Sequence, residues 1–144
     1  MELSSPQEAP RVLIVEDDAS LRRLLELRLS VEGYVTRSAR DGVEAVEVLT
    51  SWVPDVTVTD VMMPRLSGLS LCRAVRNDPR TATMPVILLT ARCFDNDMQA
   101  VMDLGGVTFM NKPFDAQSLK AALREALASR RPVRAGSADS NHAA

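Results

Sequence analysis

Between residues 11 and 129, short aliphatic runs alternate with segments whose apolar residues recur every three or four positions. "RVLIV" is a continuous run of strand length, and "ASLRRLLELRLS" then places Leu21, Leu24, Leu25 and Leu29 at helical spacing, with Gly33 as the stop. "YVTRSA" predicts a second, weaker strand. Gly42 precedes a helix with Val43, Val46 and Leu49 on one face, and Pro54 separates it from the next strand. "DVTVTD" ends in Asp60, and beyond the turn "VMMPRLSG" a helix is expected from about Leu69 to Arg76, bounded by "NDPR". "PVILLT", the most hydrophobic strand, precedes a helix from about Asp95 to Leu104, and the strand "VTFMN" follows "GG". After "KPFD", Leu119, Leu123 and Leu127 are spaced by four along a last helix, for which Asp115 is a suitable N-cap.

Five strands alternating with five helices, the middle and outer strands too apolar to face water on either side, predict a doubly wound α/β domain. A parallel sheet covered by helices on both faces is the architecture such a pattern demands. Residues 1–10, polar and carrying Pro6 and Pro10, read as a flexible leader; residues 130–144 lack periodicity and read as a flexible tail or the stub of a linker.

Composition narrows the function. Apolar residues at 46% and charged residues at 25% are an ordinary globular balance, and 3% aromatics predict an aliphatic core. Seventeen basic and nineteen acidic residues give a formal charge of -2, with no basic stripe or nucleic-acid motif, so direct nucleic-acid binding is not expected. Cys72 and Cys93 form neither a metal spacing nor a disulfide framework, and the single histidine, His142, lies in the polar tail. Together with the absence of a signal peptide in "MELSSPQEAP" and of an apolar run near the roughly 20 residues needed to cross a bilayer, this predicts a cytoplasmic protein without a membrane partner. No GxGxxG follows the first strand and no GK[ST] loop occurs, which removes the main support for dinucleotide or nucleoside-triphosphate binding.

In open parallel sheets, ligands bind beyond the carboxyl ends of the strands. Those ends carry Glu16, Asp17 and Asp18 after the first strand, Asp60 after the third, Thr90 after the fourth and Lys112 after the fifth. Three acids in a row repel one another unless a cation compensates, and carboxylates from two strand ends suit Mg²⁺, a hard ion that takes oxygen ligands. Lys112 is placed to pair with Asp60 at rest and with a phosphoryl oxygen later, Thr90 to donate to a second oxygen, and the backbone after Asp60 to a third. Asp60 is then the nucleophile of an aspartyl-phosphate. Taken singly, each residue has a plainer role: Asp18 as a helix N-cap, Asp60 in a turn, Thr90 as β-branched strand material, Lys112 as a solvated lysine. The joint placement at successive strand ends is what favours the chemical reading.

"VLIVEDD", "VTDVMMPRLSG", "VILLTAR" and "NKPF" resemble the four signature segments of the receiver (CheY-like) domain of bacterial two-component response regulators. The intervals from Asp17 to Asp60, Asp60 to Thr90 and Asp60 to Lys112 agree as well, and the resemblance covers about residues 10–129, so that 11–129 is the expected receiver domain. It implies a (βα)5 fold with the flavodoxin-like strand order 2-1-3-4-5. It also implies Asp60 as phosphoacceptor, Asp17 as direct metal ligand, Glu16 as holder of metal-bound water, and Met62 as donor of a backbone carbonyl to Mg²⁺. Asp18 is then a flanking residue. Thr90 matches the switch hydroxyl, Phe109 the aromatic switch position, and Lys112 the family lysine, with a cis bond to Pro113.

The implied mechanism is phosphoryl transfer from a sensor histidine kinase or phosphotransfer protein to Asp60, after which Thr90 and Phe109 remodel the face made by the fourth helix, fifth strand and fifth helix. That face would meet a downstream effector or output domain, or a second copy in a homodimer. The chain is accordingly not expected to be an enzyme beyond its own phosphorylation and dephosphorylation.

Departures from the family pattern are informative. Phe109 has no hydroxyl, so a switch there runs on packing alone, and "GGVTF" places Val107 and Thr108 where acids are common, which alters the charge that a partner meets. Met62 and Arg92, flanking the site, resemble regulators whose phosphoryl group hydrolyses slowly. Cys72 reads as a small buried hydrophobe, and Cys93 lies in the loop beside the site. Three alternatives stay open: a phosphorylation-independent binding module with the same fold, the receiver half of a longer DNA-binding transcriptional regulator, and a haloacid-dehalogenase-like phosphatase. The last normally needs an acid two residues beyond its nucleophile, where this chain has Met62.

Overall fold

The structure, a computed structural model, describes residues 9–129; Pro6, His142 and the tail 130–144 lie outside the described residues. The elements alternate in strict order: β1 (Arg11–Val15), α1 (Ala19–Val31), β2 (Val35–Ala39), α2 (Gly42–Leu49), β3 (Val56–Asp60), α3 (Gly68–Asn77), β4 (Val86–Thr90), α4 (Asn96–Met102), β5 (Val107–Asn111) and α5 (Ala116–Ser129). All neighbouring strands pair in parallel, in the order β2-β1-β3-β4-β5, as the resemblance implied.

Side-chain alternation along each strand divides the core into two layers. Leu13, Val15, Val86 and Leu88 point to the side covered by α2, α3 and α4, where they meet Ala45, Leu71, Cys72, Met98 and Val101. Val12, Ile14, Val58, Ile87 and Leu89 point to the other side, against Leu25 and Leu29 of α1 and Leu119 and Leu123 of α5. The central strands β3 and β4 are buried along their whole length, which is why they carry the most continuous apolar text. The outer strands β2 and β5 are only half buried, contrary to the expectation that no outer strand would face water: each has a neighbour on one side only.

Each helix starts on a short polar side chain that accepts orphan backbone N–H groups. Asp18 accepts from Ser20 and Leu21, Asp41 from Glu44, Ser67 from Ser70, Asp95 from Met98 and Asp115 from Ser118. The expected bounds of α3 and α4 shift by one or two residues. Two predicted apolar faces change more. Leu24 is 46% exposed, because Leu25 and Leu29 hold the centre of the α1 stripe and an adjacent residue is rotated by about 100° away from it. In α2 the buried residues are Gly42, Ala45 and Leu49, whereas Val43 and Val46 face outward. Gly42 sets that rotation: a Cβ there would stand 2.5 Å from the Leu66 carbonyl oxygen, so the loop after β3 packs directly on the helix start.

At the opposite, amino-terminal edge of the sheet, Trp52 is buried under two guanidinium groups, Arg11 at 5.6 Å and Arg37 at 4.9 Å from its ring.

Candidate functional site

The carboxyl ends of β1, β3, β4 and β5 converge on one rim, and the residues read from the sequence as chemical stand there together. Glu16, just beyond β1, is 1% exposed; Asp60, the last residue of β3, and Thr90, the last of β4, are also buried. Asp17 beside them is exposed. One carboxylate oxygen from each of Glu16, Asp17 and Asp60 lies within 4.8 Å of the others. Three hard oxygen donors at that spacing, with one side open to water, suit a divalent cation that retains part of its hydration. Asp18 is not part of this set, since its carboxylate is taken up by the α1 cap.

Lys112 closes the rim from the β5 side. Its Nζ is 2.6 Å from Asp60 Oδ1 and 3.4 Å from Glu16 Oε1, the resting salt bridge expected from the sequence. Burial pulls the Lys112 ammonium down, but the hydrogen bond and charge of Asp60, with the charge of Glu16, outweigh it and raise its pKa overall. Glu16 is pushed up to about 7, first by burial, then by its hydrogen bond to Asp60 and the Asp60 charge; the Asp18 N–H at 3.0 Å and Lys112 oppose the shift only in part. Two carboxyl groups this close hold a proton readily when no cation replaces it.

The backbone explains how the loop after Asp60 is held. Val61 N–H donates to the Leu89 carbonyl at 2.8 Å, extending the β3–β4 ladder one residue past Asp60, and Gly68 N–H returns to the Val61 carbonyl at 2.9 Å. A Cβ on Gly68 would lie 1.9 Å from the Asp60 carbonyl oxygen, so only glycine permits α3 to start this close to the end of β3. Arg65, in the same loop, has φ 71° and makes two bonds to Asp41, 2.9 Å from Nε and 3.1 Å from Nη2. Neither Gly68 nor Arg65 was singled out from the sequence. Both lie in the expected turn "VMMPRLSG", but the close approaches exist only once the fold is assembled.

Thr90 Oγ accepts the Arg92 N–H at 3.0 Å, and the Thr90 carbonyl accepts the Lys112 N–H at 2.8 Å next to a cis Lys112–Pro113 bond. Met62 is 62% exposed above the loop. Phe109 is partly buried against the layer under α2, α3 and α4, and meets Phe94 edge to face at 5.4 Å. Cys72 is buried and Cys93 exposed.

The family profile described as "Response regulator receiver domain" matches residues 12–124. The chain is 42% identical to the response regulator MprA of Mycobacterium ulcerans over 81% of this chain and 50% of that protein. To the probable transcriptional regulator ycf27 of Guillardia theta it is 40% identical, over 81% of this chain and 45% of that protein. The chain thus spans about half the length of these curated relatives. Among solved structures, the Vibrio cholerae chemotaxis protein CheY4 superposes with a TM-score of 0.77 at 29% identity, covering 83% of this chain and 99% of that one. The receiver domain of the Pseudomonas aeruginosa sensor histidine kinase PA1611, which has a magnesium ion coordinated in its active-site cleft, superposes at 0.75 with 27% identity, covering 84% and 99%.

Proposed function

The chain belongs to the receiver-domain family of bacterial two-component response regulators, a phosphoaccepting module whose chemistry is confined to itself, and from that premise we propose that Asp60 is its acceptor. The observation that carries this assignment is the placement of Asp60: a buried carboxylate at a strand end, within reach of two further acids and of the Lys112 ammonium. A carboxylate oxygen of Asp60 attacks the phosphorus of a phosphohistidine on a sensor kinase or phosphotransfer protein. The P–N bond breaks, its electron pair returns to the imidazole, and an acyl phosphate remains on Asp60.

Glu16, Asp17 and the Met62 backbone carbonyl are the groups proposed to hold Mg²⁺ with Asp60. When bound, Mg²⁺ supplies positive charge that offsets the repulsion between the acceptor carboxylate and the incoming phosphoryl group. Lys112 exchanges its Asp60 contact for a phosphoryl oxygen, and Thr90 gives up its bond from the Arg92 N–H to donate to another. That inward movement opens room for Phe109, and the face formed by α4, β5 and α5 is remodelled for an effector or a second copy. Met62 and Arg92 slow hydrolysis by covering the phosphoryl group; similar phosphoryl lifetimes in a Met62→Asn, Arg92→Ala variant would sink that role.

We take residues 11–129 as the receiver unit. Because the relatives are about twice as long, an output domain joined to the same polypeptide is a second reading for the effector, favoured by the resemblance to a transcriptional regulator. No helix among the described residues is long and apolar enough to cross a membrane.

Acetyl phosphate and Mg²⁺ followed by intact-mass measurement tests the central assignment. One phosphoryl adduct is expected on the wild-type chain and none on Asp60→Ala. No adduct on the wild type, with a kinase donor as well, would favour a phosphorylation-independent binding module instead.

A further inference from the structure

Arg92 stands between the acceptor loop and the first turn of α4. Its Nη1 contacts Met62 Sδ at 3.3 Å on one side, and its Nη2 donates to Asp95 Oδ2 at 2.7 Å on the other. The second Asp95 oxygen accepts the Met98 N–H at 2.9 Å, which caps α4. Arg92 Nε is buried and makes no hydrogen bond among the described residues. A thioether is a weak acceptor, and a buried donor without a partner is unfavourable. The guanidinium is therefore held chiefly by Asp95 and keeps one buried donor, Nε, that no oxygen among the described residues satisfies.

A phosphoryl group on Asp60 would place nearly two negative charges and three acceptor oxygens beside Met62, which follows Asp60 by two residues. A guanidinium matches such a group in two parallel bonds and carries more attraction to it than to one carboxylate. The Arg92–Asp95 pair is also open to water, with side chains 32% and 43% exposed, so it exchanges readily.

We infer that Arg92 is shared: Asp95 and the phosphoryl group on Asp60 compete for its guanidinium, so Asp95 sets how tightly the site holds the phosphoryl group, and phosphorylation removes the counter-ion of the α4 cap. Asp95 is thereby a positioning residue for the acceptor chemistry although it touches no reacting atom. Linkage makes the two effects reciprocal. The connection also carries Phe94, which packs on Phe109, so a displaced Arg92 acts on the segment that meets the aromatic switch position. This inference rests on Asp60 as the acceptor.

Beryllium trifluoride, which bonds a carboxylate oxygen as a phosphoryl group does, provides the probe, with binding followed by ¹⁹F NMR in the presence of Mg²⁺. Asp95→Asn retains an oxygen able to cap α4 while losing the charge. It is expected to tighten binding roughly two- to five-fold, the range spanned by an exposed ion pair of this kind. Arg92→Ala is expected to weaken binding, Arg92→Lys to recover part of the loss, and Asp95→Asn to have no effect when added to Arg92→Ala. A structural role for Asp95 would instead shift binding equally with and without Arg92. That outcome, or unchanged binding in Asp95→Asn, overturns the competition while leaving the acceptor intact. If the wild-type chain binds no beryllium trifluoride, the acceptor assignment fails and the inference with it.

Discussion

Glu16 combines near-complete burial with a carboxyl pushed up to about 7 from its ordinary 4.5, and both follow from its place between Asp60 and the core. In the metal-free protein the folded state keeps a proton over that interval while the unfolded chain releases it. The contribution of Glu16 to folding is thus fully present below about 4.5 and is lost as pH rises through about 7. Urea midpoints measured without metal should fall across this window, and Glu16→Gln should flatten the slope. Gly68 is the other decisive residue. Its missing Cβ would overlap the Asp60 carbonyl, so Gly68→Ala should cost roughly 1–3 kcal/mol in urea unfolding and displace Asp60. The acids, Thr90 and Lys112 were legible in the sequence because strand ends can be counted along the chain. The need for glycine at position 68 was not, because it arises from the close approach of the α3 start to the end of β3 in the assembled rim.

At the scale of elements, periodicity placed all ten segments, but it could not rank neighbouring apolar residues. Leu24 and Leu25 satisfy the same sequence pattern, yet only Leu25 lies under the sheet. Leu29→Ala should cost about 2–5 kcal/mol, whereas Leu24→Ala should stay within about 0.5 kcal/mol, as read from chemical denaturation. Helix α2 shows a different limit: its rotation is imposed by Gly42 under Leu66, and the valines that looked like its core face are outside. The Asp41–Arg65 pair ties this helix start to the loop after β3 while Asp41 also caps α2. Asp41→Ala should therefore lower the urea midpoint more than Asp41→Asn, which keeps a capping oxygen, and both should weaken Mg²⁺ binding by loosening the loop.

For the molecule as a whole, the sheet separates two aliphatic layers and leaves the acidic rim as the place where three strands and a lysine meet. A cation bound there stabilises only the folded chain. Mg²⁺ at a hundred times its dissociation constant should add about 2.7 kcal/mol to the unfolding free energy, and Asp17→Asn should remove most of that gain in thermal or urea titrations. The strand order and the rim were legible from the resemblance and from the alternation of elements. The half-exposure of β2 and β5 was not, because edge position is a property of the assembled sheet rather than of either segment.

Trp52, clasped by Arg11 and Arg37, lies in the segment between α2 and β3, at the end of β3 opposite Asp60. It is the only indole in the chain, so the intrinsic emission of the protein comes from the edge of the sheet away from the chemistry. Its fluorescence will record the loss of the whole fold and stay dark to the arrival of a phosphoryl group, which makes it a built-in calibrant for separating unfolding from signalling in one cuvette.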